Sequence, residues 1–280
     1  AYFDSINCNN TFCWAKQIAG ISGISDIHKS INNSDVVITG SFGSTATFGS
    51  TTLSSVGGSD IFIAKYNGQN NGNLMFAKRE GGTDDESGIG IVMAPSTTEI
   101  YLSGIFGSSG KSTPYTTTIG GTSLTTYGPD TGGYWYHWDM FLAKLDGSGN
   151  FQWVKGIHGN HLEYGGYLAA DSYENVYITG DYKSPYLSFG ADSVASLGTK
   201  DVYIAKYDKN GNFIWANSIG GNGSGVNAGV VSEVWSDVVC VTGNFSGSDI
   251  YLGNEVLSTI GGTDAFLSKI HICNTPVVPI

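Results

Sequence analysis

One glycine-rich segment carries residue types that could bind a metal ion or take part in acid–base chemistry. His158, His161 and Glu163 are spaced as His-x-x-His-x-Glu, and zinc is commonly bound by imidazole and carboxylate groups. The segment matches no established zinc template. We therefore predict no metal site here, and a hydrolase or lyase that uses these groups is only a third hypothesis for the function.

Two short turns contain the oxygen-bearing side chains that calcium prefers. Residues 146–150 read Asp-Gly-Ser-Gly-Asn, and residues 208–212 read Asp-Lys-Asn-Gly-Asn. Neither has the downstream bidentate acid of an EF-hand, and both are short enough to be simple hairpin turns. The sequence therefore predicts no cofactor, with calcium in these turns as the alternative.

The densest group of aromatic residues lies in residues 132–139, Gly-Gly-Tyr-Trp-Tyr-His-Trp-Asp. Tyrosine and tryptophan are common anchors of binding interfaces because they bring a large contact area at low entropic cost. The stretch therefore favours a binding site for a protein or a glycan. The alternative is a loop that folds back and buries its rings as a plug, and the sequence leaves both open.

The composition argues against several classes of partner. The chain has 24 acidic and 13 basic side chains, with a formal net charge of -11, so we predict no nucleic-acid binding. No apolar run approaches the roughly 20 residues of a membrane-spanning helix, so we also predict no membrane insertion. A Gly-x-Ser-x-Gly nucleophile motif is missing from the sequence, and we predict that the protein is not an enzyme.

Four internal repeats must position these residues. Each repeat contains a strand of alternating pattern that begins with aspartate, and these strands read DIFIAK, DMFLAK, DVYIAK and DAFLSK from Asp60, Asp139, Asp201 and Asp264. Another strand precedes each of them and ends in glycine, at Gly40, Gly104, Gly180 and Gly243. About four strands in each unit of this length are typical of a propeller blade.

The fourth repeat lacks its last strand, and residues 10–16 at the start of the chain match that strand in sequence. An N-terminal strand that completes the last blade closes a propeller ring without a free sheet edge. We therefore predict an all-β, closed four-bladed β-propeller in one domain, residues 1–273. The blades span about 21–82, 83–158, 159–221 and 222–273 with 8–20, and 274–280 begin a linker or tail.

The repeats resemble the bacterial β-propeller repeats of the SBBP type. The segments that carry this resemblance are DVVITGSFGSTATFGSTTLSSVGGSDIFIAKYN, NVYITGDY and DVYIAKYDKNGNFIWANSIGG. The resemblance covers nearly the whole chain. It implies a secreted or cell-surface bacterial protein, and the family supplies no catalytic residues.

The cysteines suggest how the chain ends meet. Aligning the incomplete fourth hairpin with the third places Cys8 and Cys273 beside each other in one turn, so we predict a disulfide between them. A bridge from Cys8 to Cys13 is the alternative. We expect Cys13 and Cys240 to be small buried residues. Ser5 and Ser193, each in an Asp-Ser-aliphatic triplet, are weak candidates for O-glycosylation.

Propeller topology places two segments on one face. The second repeat has an insertion of about 15 residues before Asp139, and the connection to the third repeat emerges on the same side of a blade. The predicted binding residues are Tyr134, Trp135, Tyr136, His137, Trp138, His158, His161, Glu163 and Tyr164.

These patterns favour a non-enzymatic extracellular or cell-surface module for adhesion or protein interaction, with self-assembly as a further option. The alternative is a lectin that binds glycans through residues 134–138.

Overall fold

The computed structural model describes residues 13–69, 71–109, 114–127, 136–221, 225–235, 238–247 and 249–271, with the backbone alone at 108–109, 136–137, 225 and 227–235. Within these residues the protein is all-β, as predicted. The strands are β1 (Ile18–Ala19), β2 (Gly23–Lys29), β3 (Val36–Phe42), β4 (Thr45–Phe48), β5 (Thr51–Ser54), β6 (Asp60–Tyr66), β7 (Leu74–Glu80), β8 (Asp85–Met93), β9 (Ile100–Ser109), β10 (Thr116–Ile119), β11 (Thr122–Thr125), β12 (Tyr136–Leu145), β13 (Phe151–Ile157), β14 (Glu163–Ala170), β15 (Val176–Tyr182), β16 (Tyr186–Ser188), β17 (Ser193–Ala195), β18 (Asp201–Tyr207), β19 (Phe213–Ile219), β20 (Gly225–Trp235), β21 (Val238–Ser246), β22 (Ile250–Leu252), β23 (Glu255–Leu257) and β24 (Thr263–His271).

Four antiparallel sheets follow one another along the chain, one for each sequence repeat. Sheet 1 has the order β2-β3-β6-β7, sheet 2 β8-β9-β12-β13, and sheet 3 β14-β15-β18-β19. Sheet 4 has the order β20-β21-β24 in the described residues. A small hairpin lies in each connection from the second to the third strand: β4-β5, β10-β11, β16-β17 and β22-β23. This is a β-propeller-like repeat architecture.

The second and third strands of the four sheets share one register, so that a residue in these strands has an equivalent in the other sheets. The pairs at one such position are Thr39 with Ile63, Ser103 with Leu142, Thr179 with Ile204, and Thr242 with Leu267. The alternation of side chains along a strand has a period of two, so a shared register places equivalent residues on the same side of each sheet.

Successive sheets pack face to face. Ile63 of sheet 1 and Ile91 of sheet 2 lie in one buried cluster, and Leu142 of sheet 2 and Ile178 of sheet 3 lie in the next. Ile204 of sheet 3 lies in a third cluster with side chains of sheet 4. Full burial of each such aliphatic side chain stabilises the fold by roughly 1.5–3 kcal/mol.

The repeated aspartate at or near the start of each third strand caps the hairpin before it. The backbone N–H of Val56 donates to Asp60 Oδ2 at 2.8 Å, and those of Tyr127, Leu197 and Ile260 donate to Asp139, Asp201 and Asp264 at 2.9, 2.6 and 2.8 Å. These aspartates therefore hold the hairpin against its sheet.

We expect Asp201→Ala to lower the free energy of unfolding by about 2 kcal/mol, because Leu197 N–H and Gly198 N–H both lose their acceptor. Asp264→Ala is the matched control. Asp201 is fully buried, whereas Asp264 is half-buried and its donor Ile260 is 96% exposed. Water can therefore replace the Asp264 carboxylate, and the expected loss is under about 1 kcal/mol. Urea denaturation would measure both, and equal losses would contradict this account.

The sequence predictions about the chain ends concern the cysteines, Ser5 and the closure of the ring. Cys8 and Cys273, and hence their disulfide, lie outside the described residues, as does Ser5. Cys13 and Cys240 are free thiols. The expected burial of Cys13 is wrong, because residues 13–16 lie outside any strand and leave Cys13 exposed. A closed ring is not found in the described part of the chain, where β24 pairs with β21.

Candidate functional site

The second-repeat insertion and the connection from sheet 2 to sheet 3 are neighbours, as topology predicted. Trp138, near the start of β12, forms a bridge with Leu162 in the connection. The ring centroids of Tyr127 and His158 lie 5.9 Å apart. We call this region the junction site and define it by Tyr127, Asp139, His158, Glu163 and Ser184.

Asp139 is the hub of the junction site. Its carboxylate lies 2.9 Å from His158 Nδ1 and accepts hydrogen bonds from the backbone N–H groups of Tyr127 and Gly159 at 2.9 and 3.1 Å. Asp139 is buried and His158 is half-buried. The carboxylate thus joins the hairpin of sheet 2 to the connection that leads into sheet 3.

Glu163 lies behind Asp139 and is fully buried. The hydroxyl of Ser184 donates to Glu163 Oε1, and this hydroxyl accepts a hydrogen bond from His161 N–H at 2.8 Å. Burial, and then the charge of Asp139, raise the pKa of Glu163 to about 8. At neutral pH the Glu163 carboxyl is therefore mostly protonated.

The structure corrects the sequence prediction for Glu163. The sequence grouped it with exposed binding residues, but the first strand of sheet 3 packs against sheet 2 and buries this side chain completely. Glu163 therefore offers no surface to a partner. His161 is half-buried, and the described residues contain no group of three or more side chains arranged to hold a metal ion.

The aromatic stretch is partly strand. Tyr134 and Trp135 lie outside the described residues, and β12 begins at Tyr136, three residues before the repeated aspartate. Tyr136 and His137 pair with Ser109 and Ser108 through the backbone. The prediction of a loop through residue 138 is wrong for residues 136–138, because β9 is long enough to pair with them.

Exposed tyrosines gather at the end of the sheets that carries the small hairpins. Tyr164 is exposed, as predicted, and three further exposed rings escaped the sequence analysis. We call this set the tyrosine face: Tyr127, Tyr164, Tyr186 and Tyr251. A tyrosine in the connection between the second and third strands of sheets 2, 3 and 4 was the signal that could have revealed it.

In the two turns that resemble calcium loops, the aspartate carboxylate accepts hydrogen bonds from within its own turn. Asp146 accepts hydrogen bonds from Ser148 N–H and Asn150 N–H, both at 2.9 Å, and the bonds from Asn150 lower the pKa of Asp146. Asp208 accepts bonds in the same way from Asn210 and Asn212. Ser193, the described candidate for glycosylation, is exposed in β17.

Comparison with known proteins gives one partial similarity. No family model matches the chain. Over 133 residues the chain is 30% identical to an uncharacterised WD repeat-containing protein of Acanthamoeba polyphaga mimivirus. The match covers 39% of this chain and 10% of that protein, so the chain spans about a tenth of the relative's length. In the described residues, no helix is long and apolar enough to cross a membrane.

Proposed function

We propose that the chain is a non-enzymatic β-propeller module that binds a protein partner at a bacterial cell surface, as an adhesive or structural subunit. The tyrosine face carries this proposal. It places four exposed, amphipathic tyrosine rings at the hairpin end of the sheets, and tyrosine is one of the residue types enriched in binding hot spots. The SBBP-type resemblance supports an extracellular location.

Two further observations support a propeller rather than another all-β repeat. The partial relative is named for WD repeats, which form four-stranded propeller blades. Sheets 2, 3 and 4 each pack their first strand against the sheet before them. In the closed four-bladed form that the sequence predicts, residues 10–16 add to β24 as its missing neighbour.

The chemistry of the junction site favours structure over catalysis. Both oxygens of Asp139 accept hydrogen bonds from backbone N–H groups, and Glu163 is sealed from solvent. A catalytic acid or base must reach its substrate. The tyrosine face, in contrast, offers exposed side chains.

Binding to intact source cells would test the proposed function. We expect the double variant Tyr127→Ser/Tyr164→Ser to lose about tenfold or more in affinity, because two exposed anchors are removed. Tyr173→Ser is the matched control, since Tyr173 is exposed at the opposite end of β14. Equal binding by the two variants would contradict the proposal.

Treatment of the cells identifies the class of partner. Protease treatment should abolish binding if the partner is a protein. Loss of binding after periodate oxidation, with resistance to protease, would instead support the lectin alternative.

A further inference from the structure

We infer that the edge of β24 that has no partner strand in the described residues is the docking site for residues 13–16 of a second copy of this chain, whose sheet 1 then covers the open face of sheet 4. The inference rests on the proposed role as a subunit of an assembly, and it names the partner. Three sets of equivalent residues and one groove carry it.

The first set shows that sheet 4 has an uncovered apolar face. Ile63, Leu142 and Ile204 occupy equivalent positions in sheets 1 to 3 and each is 0% exposed, whereas their equivalent Leu267 is 77% exposed. Two residues further along each strand, the same face shows the same contrast. Lys65, Lys144 and Lys206 are buried in sheets 1 to 3, whereas their equivalent in sheet 4, Lys269, is exposed. In sheets 1 to 3, the first strand of the following sheet provides the cover.

The second set shows that sheet 1 has an unused covering strand. Ile27 of β2 and Ile91 of β8 are equivalent, because they pair with Ile38 and Leu102 in the shared register. Ile91 is 2% exposed because β8 packs onto sheet 1, whereas Ile27 is 63% exposed. Sheet 1 therefore presents the surface that would cover Leu267, and sheet 4 presents the surface that would receive it.

The third set places residues 13–16 at the outer edge of a sheet that precedes sheet 1. In two repeats, an aromatic ring of the fourth strand lies on the glycine of the next sheet's hairpin turn: Phe76 on Gly149 and Trp153 on Gly211. Trp14 lies on Gly72 in the same way, and its ring stacks with Tyr66 at 6.3 Å between centroids. Residues 13–16 therefore hold the position of the fourth strand of a sheet that the described residues do not place beside them.

A groove marks the vacant place on sheet 4. It has a volume of about 600 Å³ and runs between β19, the β22-β23 hairpin and the edge of β24. Its lining includes Leu252, Leu257 and Ile270. In sheets 1 and 3 the fourth strand packs against the hairpin of its own sheet, which is the contact that a strand in this groove would make.

A second copy is the occupant that fits the described arrangement. Trp14 is seated on sheet 1 of its own chain, so residues 13–16 can reach β24 only if sheet 1 follows them. Ile27 and Leu267 are both exposed, so the described residues do not bring sheets 1 and 4 of one chain together, and a contact with a second copy would replace the single-chain closure that the sequence predicts. Sheet 1 of another copy has no such constraint, and head-to-tail contacts of this kind build a ring or an open series.

Sedimentation over a range of concentrations gives the first test. We expect species at multiples of the 29.5 kDa chain mass, and a rise of about a hundredfold or more in the dissociation constant for Leu267→Asp and for Ile27→Asp, because each places a charge in an apolar contact. Met75→Asp is the matched control, since Met75 is 49% exposed on the outer strand of sheet 1. It should associate like the wild type.

Cross-linking identifies the donor chain independently of any effect on folding. The shared register pairs Ala77 with Ala64 and Ala216 with Ala205, and so predicts that Ala15 faces Ser268. An equimolar mixture of the Ala15→Cys and Ser268→Cys variants should form a covalent dimer with a bond between residues 15 and 268, identified by mass spectrometry.

Three results would overturn the inference: a wild type that is monomeric at every concentration, association that neither aspartate variant weakens, or a mixture that gives no 15–268 bond. A bond within one chain in the Ala15→Cys/Ser268→Cys double variant, with none in the mixture, would show closure of a single-chain ring instead. None of these substitutions lies on the tyrosine face, so this inference and the proposed function can fail separately.

Discussion

Replacing Glu163 by glutamine should make the protein more stable than the wild type at pH 9 and remove most of its loss of stability between pH 5 and 9. The folded-state pKa of Glu163 is raised to about 8 from an ordinary 4.5. Its contribution is therefore fully present below about pH 4.5 and is lost as the pH rises through about 8. The total loss is on the order of 3–5 kcal/mol, at about 1.4 kcal/mol for each unit of pKa.

The main cause is the burial of Glu163 at the junction of sheets 2 and 3, and the neighbouring Asp139 carboxyl group adds to it. Above about pH 8 Glu163 would carry a charge that is fully buried beside the Asp139 carboxyl group. Glutamine keeps the shape of the side chain and cannot ionise, and its amide can still accept the hydrogen bond from Ser184. Urea denaturation of both proteins at several pH values would measure the difference.

Glu86→Gln is a matched control at the equivalent position between sheets 1 and 2. Burial also raises the pKa of Glu86, but Arg79 binds the neighbouring Asp60 at 2.9 Å and offsets its charge. We therefore expect a smaller effect of pH. A wild type whose stability is the same at pH 5 and pH 9, or a Glu163→Gln variant with the wild-type slope, would contradict the assignment.

The second large effect is expected from one substitution made at two equivalent positions. Leu142→Ala should lower the free energy of unfolding by about 3 kcal/mol, because it removes buried apolar surface and leaves a cavity between sheets 2 and 3. Leu267→Ala should lower it by less than about 0.5 kcal/mol in the dilute single chain, since Leu267 is exposed there.

Guanidinium denaturation at a concentration where the chain sediments as a monomer would compare these variants. At a concentration where copies associate, the Leu267→Ala variant should in addition associate more weakly than the wild type. A loss of about 3 kcal/mol for Leu267→Ala in the dilute chain would show that sheet 4 is covered by its own chain. Equal small losses for both variants would contradict the packing of sheet 2 on sheet 3.

Much of the local structure follows from the sequence because the repeats are strict. The alternating pattern predicts β6, β18 and β24, which begin at Asp60, Asp201 and Thr263. A strand pairing with a period of two tolerates no shift without turning its apolar side chains outward. The sequence also predicts that the insertion lies beside the connection from sheet 2 to sheet 3. The order of strands in a sheet decides which connections emerge at the same end of that sheet.

Tertiary structure alone decided the environment of each residue. Glu163 looked like an exposed ligand in a glycine-rich connection, and the packing of β14 on sheet 2 made it a buried carboxyl with a raised pKa. Cys13 looked like a core residue, and the absence of a neighbouring strand within the described residues left it exposed. Leu267 has the same pattern around it as Leu142, yet one is exposed and the other buried.

The physical reason is that a repeat encodes the strand and its register but not the occupancy of its faces. Alternation, turn residues and the capping aspartate act within one sheet, so the sequence of that sheet determines them. The burial of a side chain and the pKa of a carboxyl group depend on which other sheet packs against that face. The same leucine is therefore buried where another sheet covers it and exposed where none does. The sequence thus determined the strands and their register within each sheet, and only the packing between sheets decided which faces are buried and which are exposed.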